Sequence, residues 1–449
     1  MKLRSFVRLT LVAAAATSTL AIAAVSADEA GALKTTLTPL GGEKAGNKDG
    51  SIPAWTGGYT TAIAGDKPGG RRGDPFKGEK PLYSVTAANM AQYADKLTDG
   101  VKAMLRKYPD SYRLDVYPTH RTAVAPQGVY DNTFKNATRA RMEGDSPVNA
   151  YGGIPFPIPK SGVEAMWNHK LAWRGSSWQS DFNQYQITAD GKVVLTTSGT
   201  IKQTMPYYYE GGSPEQFAGF HWTVNLVNDG PPIRAGEMIV GRESFDPDKT
   251  NAYVYLTGQR RVRKLPNACC DTPTPASAGL MSFDELSVFS GRTDLFDWKI
   301  VGKKEILVPY NENRFLQVPD AEVIKGQHLN PDHVRWELHR VWVIEATLRE
   351  GRRHQAPKGM YYLDEDTWQG MLADRWDSKG QLWKTFWGFN YVMPDFPGTV
   401  QQTFGYYDLL SGQGYVSNVL NDKPYQHKPV PRWPDSLFTG EGLAAQGVR

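Results

Sequence analysis

Val334-Arg335-Trp336-Glu337-Leu338-His339-Arg340-Val341-Trp342-Val343-Ile344-Glu345-Ala346-Thr347-Leu348 is the stretch on which the fold turns. In an extended chain successive side chains point to opposite faces. One face therefore carries Trp336, Leu338, Arg340, Trp342, Ile344, Ala346 and Leu348, and the other Arg335, Glu337, His339, Val341, Val343, Glu345 and Thr347. This is the longest strand that the sequence predicts. Downstream, Tyr361-Tyr362-Leu363, the acidic turn Asp364-Glu365-Asp366-Thr367, an aromatic strand to Trp376, a Ser378-Lys379-Gly380 turn and Gln381 to Trp387 make a meander. Upstream, Trp298 to Val308 reads as another strand. Ala252 to Leu256 and Arg260 to Leu265 flank Thr257-Gly258-Gln259 as a hairpin, and Asp190-Gly191 joins two more strands. Strand follows strand with few helices between, which argues for an α+β chain that is mainly antiparallel β.

The remainder arranges itself around that sheet. Thr86 to Lys107 repeats apolar residues at three- and four-residue steps, with Met90, Tyr93, Ala94, Leu97, Val101, Met104 and Leu105 on one side. This predicts a helix in which Gly100 allows a break. Val163 to His169 predicts a second, short helix. Three prolines in Gly153 to Pro159 exclude that segment from a central ladder. Residues 28–82 are rich in turn formers and read as an extended arm lying on the body. The expected organisation is a leader over 1–27, an arm and helix over 28–110, and a β domain over 111–449.

The leader follows from the first residues. Lys2, Arg4 and Arg8 precede an apolar stretch from Leu9 to Ala24, and Val25-Ser26-Ala27 offers small residues before Asp28-Glu29. That order is that of a cleaved secretory signal, with cleavage near Ala27 and a periplasmic, soluble product. Loss of 1–27 removes three basic residues and no acidic one, so the formal charge falls from +4 to +1. No concentrated basic face remains for nucleic acid, and no later stretch reaches the ~20 apolar residues of a membrane span. The first cysteine is Cys269, so no lipid anchor is expected at the cleavage point. Its neighbour Cys270 is the only other cysteine, and the pair reads either as a vicinal disulfide or as two thiols.

Few residues offer chemistry. Gly41 to Lys48 approaches a phosphate loop but has Asn47 where lysine belongs. A serine-nucleophile elbow and a zinc-protease motif are both missing, and no cofactor or metal is expected. The best cluster is Glu337 and His339 on one side of the long strand, with Arg335 beside them. It reads as a buried structural or ligand-orienting polar network, with metal binding and acid–base catalysis as the alternatives. Arg261 and Arg263 share one face of a basic strand. That strand reads either as a charged edge or as a site for an anionic head group. Trp336 and Trp342 lie among many aromatics that either fill a core or line a cavity for an apolar ligand.

Several segments together resemble a known family. They are Leu37 to Asn47, Gly50-Ser51-Ile52-Pro53-Ala54-Trp55-Thr56-Gly57-Gly58, Val116-Tyr117-Pro118, Gly153 to Pro157, Glu164 to His169, Gly258 to Arg263, Val308 to Asn311, Glu337 to Val343 and Tyr362 to Asp366. The chain is similar in these to the bacterial domain-of-unknown-function family 1329, which resembles the LolA/LolB-type lipoprotein-sorting proteins. The resemblance implies a large, curved, unclosed β-barrel with covering helices and an apolar cavity. It implies a periplasmic carrier for a lipid or other hydrophobic ligand, working with an exporter of the resistance–nodulation–division type or an outer-membrane channel. No catalytic residue comes with it. The ligand-contacting residues expected on this reading are Arg261, Arg263, Trp336, Glu337, His339, Arg340 and Trp342. The alternatives are an envelope hydrolase using Glu337 and His339, or a partner of an outer-membrane channel that binds no ligand.

Overall fold

The computed structural model describes residues 24–447. The expected leader therefore lies outside the described residues up to position 23. From the cleavage region onward, Ser26 caps a short helix, Ala27–Gly31, and the Val25 N–H donates to the Ala137 carbonyl at 3.2 Å.

Thirteen strands carry the architecture: β1 Ser177–Ile187, β2 Val193–Thr204, β3 Phe220–Gly230, β4 Met238–Ser244, β5 Asn251–Leu256, β6 Arg261–Lys264, β7 Phe296–Pro309, β8 Trp336–Leu348, β9 Lys358–Asp364, β10 Gly370–Trp376, β11 Leu382–Met393, β12 Gly398–Asp408 and β13 Gly414–Val419. Their spatial order runs from β7 through β13, then from β1 to β6, each antiparallel to the next. The short strands Tyr83–Val85, Leu114–Val116 and Lys428–Pro429 join the same sheet. The end strands β7 and β6 do not pair with each other, so the sheet is curved and unclosed, as expected. Arg261, Arg263 and Lys264 stand exposed on the β6 edge, where charge discourages pairing with another chain.

The alternation of the long strand is realised across two cores in its second half, whereas Trp336 and Leu338, expected on the face of Ile344 and Ala346, join the cluster of Val341 and Val343. Val341 and Val343 join one buried cluster with Trp387 and Phe389. Ile344 and Ala346 join the other with Phe386 and Tyr406. A sheet buried on both faces needs cover on both, and short helices supply part of it. Gly162–Lys170 packs on β7 and β8, Asp99–Lys107 on β10 and β11, and Gly440–Gly447 on β5 and β6. Cys269 and Cys270 are joined as a vicinal disulfide in the segment after β6.

The helix expected over Thr86 to Lys107 is two pieces. Met90–Lys96 is a 3-10 helix and Leu97 is extended. Thr98 then caps Asp99–Lys107 by accepting from the Val101 N–H at 3.2 Å. The break therefore precedes Gly100, which sits in the first turn with its N–H donating to Asp374 Oδ2 at 2.9 Å. A Cβ there would fall on the Asp374 carboxylate and the Thr385 hydroxyl. Helix propensity alone favours alanine over glycine by about 1 kcal/mol, but this contact reverses the sign. Gly100→Ala should lower stability by roughly 1–3 kcal/mol in urea unfolding; a gain would show that the helix is free to shift.

Burial pushes the Asp374 carboxyl up to about 6, against the pull of its bond from Gly100. A carboxyl raised in the folded chain adds stability that is complete below its unfolded value near 4 and is lost as pH rises through about 6. Asp374→Asn removes that loss. Its stability relative to the native protein should rise between pH 4 and pH 7 by on the order of 1–3 kcal/mol, and a pH-independent difference would refute the assignment.

Candidate functional site

The residues singled out from the sequence separate into two places. Arg261 and Arg263 are on the exposed β6 edge. The others are on β8 and are mostly buried. Glu337 has 0 % exposure and its two oxygens are fully engaged. They accept from Arg335 Nε at 2.5 Å, Asn311 Nδ2 at 3.0 Å and the His120 N–H at 2.8 Å, and Oε2 lies 3.1 Å from His339 Nε2. The His339 ring stacks on Tyr310 with centroids 3.8 Å apart. Burial works against the Glu337 charge, but the His339 bond and the Arg335 charge outweigh it and hold the carboxyl below its usual range. Trp336 is buried, and Trp342 stacks on Trp368.

Arg340 leaves β8 on the other face. Its Nε donates to Glu365 at 2.6 Å and its Nη2 to the Ala45 carbonyl at 2.6 Å. Arg121, which the sequence did not single out, does the same work beside it. It grips Asp366 through Nε at 2.8 Å and Nη2 at 2.6 Å, and reaches the Glu43 carbonyl at 2.6 Å. These two guanidinium groups clamp the N-terminal arm to the turn after β9. Among the described residues, His339, Asp364 and Asp366 are the group whose ligand atoms lie close enough to share an ion, within 4.8 Å of one another. Both Asp366 oxygens go to Arg121, so a guanidinium already supplies the positive charge there. Burial, with the Asp366 charge next, pushes Asp364 up to about 6.

The open space lies elsewhere. A cleft of about 1120 Å³, counting its open mouth, separates the inner face of β2 to β5 from the segment that follows β6. Ile201, Val224, Leu226, Ile239 and Trp222 line the sheet side, and Phe283, Leu286 and Phe289 the covering side. None of the seven residues expected to contact a ligand lines it. The cover is anchored by ion pairs from Arg375 to Asp284 at 2.7 Å and Lys384 to Glu285 at 2.6 Å. The helix Gly162–Lys170 closes one end. Its His169 accepts from the Gly370 N–H through Nδ1 and bonds the Phe289 carbonyl through Nε2. Lys170, Arg174, His221 and Glu243 bring polar groups to the cleft. They come from three segments, Lys170 and Arg174 lying four residues apart, and the only local signal was the neighbouring run Glu164 to His169.

Comparison with known proteins gives the same picture of kinship. The family model described as protein of unknown function (DUF1329) matches residues 84–444. The uncharacterized protein PA3922 of Pseudomonas aeruginosa is 37% identical over 442 residues, covering 96% of each chain. Among solved structures, a DUF1329 family protein from Desulfovibrio piger aligns at 15% identity and a TM-score of 0.43, over 63% of this chain and 97% of its own. The LolA superfamily protein NE2245 from Nitrosomonas europaea aligns at 12% identity and a TM-score of 0.37, over 63% of this chain and 98% of its own.

Removing one partner of a buried ion pair leaves the other charge uncompensated, at a cost of about 3–5 kcal/mol. Arg121→Gln should destabilise the protein by that order in denaturant and speed protease cleavage within residues 28–82. Arg121→Lys should not restore it, since a lysine cannot match the two-pronged bond. Unchanged cleavage of the arm would show that it is held without this clamp.

Proposed function

This chain belongs to the family described as protein of unknown function (DUF1329), and within that family we propose that it is a binding protein for a hydrophobic molecule, held in the cleft between β2–β5 and the segment after β6. The observation that carries this reading is the cleft itself, an apolar-lined opening between the sheet and its loop cover. Apolar side chains that face an opening rather than one another give up contact energy, and a ligand recovers it. A ligand that buries on the order of 300 Å² of apolar surface gains about 7 kcal/mol at ~25 cal/mol per Å², before the costs of association.

The leader read from residues 1–27 would place this activity in the periplasm. No helix among the described residues is long and apolar enough to cross a membrane. A carrier there would collect its ligand from, or deliver it to, an envelope exporter or outer-membrane channel, and the open mouth of the cleft suits such a hand-over. The rival role for Glu337 and His339 has no comparable support. Glu337 is sealed from solvent and already accepts from Arg335, Asn311 and the His120 N–H, so it has no free lone pair directed at a substrate.

Chloroform–methanol extraction of natively purified protein, read by mass spectrometry, should yield an apolar compound near one per chain. Stripped protein should bind the uncharged dye N-phenyl-1-naphthylamine. Gly241 faces the cleft from β4, where an added Cβ meets only the Val224 side chain at 3.1 Å. Gly241→Leu should therefore fill the space and weaken dye binding ~10-fold or more, at a stability cost of roughly 1–3 kcal/mol as Val224 gives way. Protein that carries nothing and takes up no dye would end this reading.

A further inference from the structure

The cleft is not uniformly apolar, and its charges do not balance. Lys170 and Glu243 face each other at 3.6 Å, and each has a further partner. The lysine donates to the Gly291 carbonyl at 2.8 Å, and the carboxylate accepts from the Ser290 hydroxyl at 2.7 Å. Arg174 has no such arrangement. Its guanidinium makes one long bond, 3.5 Å to the His169 carbonyl, and among the described residues it has no carboxylate within ion-pair distance. The most deeply buried arginines each have one: Arg72 with Asp395, Arg121 with Asp366, Arg335 with Glu337, Arg340 with Glu365 and Arg375 with Asp284; among the half-buried ones Arg139, Arg242 and Arg314 share the lack, and Arg242 lines the same cleft.

A second group beside it is also unprovided for. His221 has 2 % exposure, and neither ring nitrogen has a hydrogen-bond partner; its Nε2 stops 3.6 Å short of Glu243. A neutral imidazole still carries one N–H donor. Burial, then the charges of Lys170 and Arg174, keep this ring well below its ordinary pKa, and burial draws Arg174 down to about 10.

We propose that the cleft takes an amphiphile whose head is a single oxyanion, a carboxylate or a phosphate, received by Arg174 and the His221 N–H, with the tail along Ile201, Val224 and Leu226. This rests on the cleft being the ligand site. The anion supplies the missing counter-charge to Arg174 and an acceptor for His221, and Lys170 offsets the repulsion from Glu243. An apolar ligand with a neutral head would bury the guanidinium further without pairing it, which is costly. A cationic head would meet Arg174 directly.

The experiment compares heads on one tail. Stripped protein is loaded with N-phenyl-1-naphthylamine, and dodecanoate, dodecyl phosphate, dodecanol and dodecyltrimethylammonium compete for it, with inorganic phosphate as the tail-free arm. The two anions should displace the dye at concentrations ~10-fold or more below dodecanol, as a charge-assisted bond predicts, with the cation weakest and phosphate inert. Arg174→Gln should narrow the gap between dodecanoate and dodecanol to less than ~3-fold, each competitor being read against that variant's own dye affinity, and Arg174→Lys should keep most of the gap. The native-protein comparison stands even where a variant fails to fold. Equal displacement by dodecanol and dodecanoate overturns the head-group assignment and leaves the carrier reading intact. Inorganic phosphate acting as well as dodecyl phosphate overturns it too, in favour of a bare anion site. Failure of the dye and every amphiphile to bind overturns both readings.

Discussion

A guanidinium taken out of water needs an acceptor, and the assembly of this chain turns on where its buried arginines find one. Arg121 and Arg340 reach the carboxylates of the turn after β9 and, with their remaining N–H groups, the carbonyls of residues 43–45. The arm has almost no regular structure of its own. Its backbone carbonyls become part of the fold because cations on the body require them. Arg72 repeats the logic from the arm side, paired with Asp395 and bonded to the His427 carbonyl. Such pairs contribute little net stability against apolar replacements, but each is costly to half-remove, so they fix one placement of the arm over others.

The same constraint separates scaffold from site. Both oxygens of Glu337 are matched by donors, and the arrangement is closed to solvent. The Arg174 guanidinium and the His221 ring are not so matched. Buried polar groups in folded proteins are nearly always satisfied, so an exception beside an open apolar cleft carries information about what enters it.

The unclosed sheet makes that cleft possible. With β7 and β6 left as separate edges, the inner face of β2 to β5 has no opposing strand and is covered by the loop segment after β6. That segment is tied down through Asp284 and Glu285 to β10 and β11, away from the mouth. An apolar face covered by a loop rather than by a second sheet is hard to fill, because loop side chains do not come at strand spacing.

Local sequence determined most of the sheet. The alternation of 334–348, the hairpin at 257–259 and the meander through 387 are periodic signals set by neighbouring residues, and the strands lie where those signals put them. The Glu337–His339–Arg335 network was also legible, since two-residue spacing on a strand puts side chains on one face. Where the sequence misled, tertiary contact was the cause: Asp374 and Thr385 press against Gly100 and place it in the first turn of a helix that begins after Leu97. The ligand-contacting set expected from the sequence lay on the long strand β8 and on β6, whereas the cleft is lined from β2 to β5 and the segment beyond β6. Lys170 and Arg174 lie four residues apart, but His221 and Glu243 come from two other segments with no spacing that links them. The sequence alone determined that a large antiparallel sheet forms and which residues alternate on it. Only the tertiary structure decided which inner charges are paired and which are left facing a cavity, because pairing depends on distances between segments that no local pattern encodes.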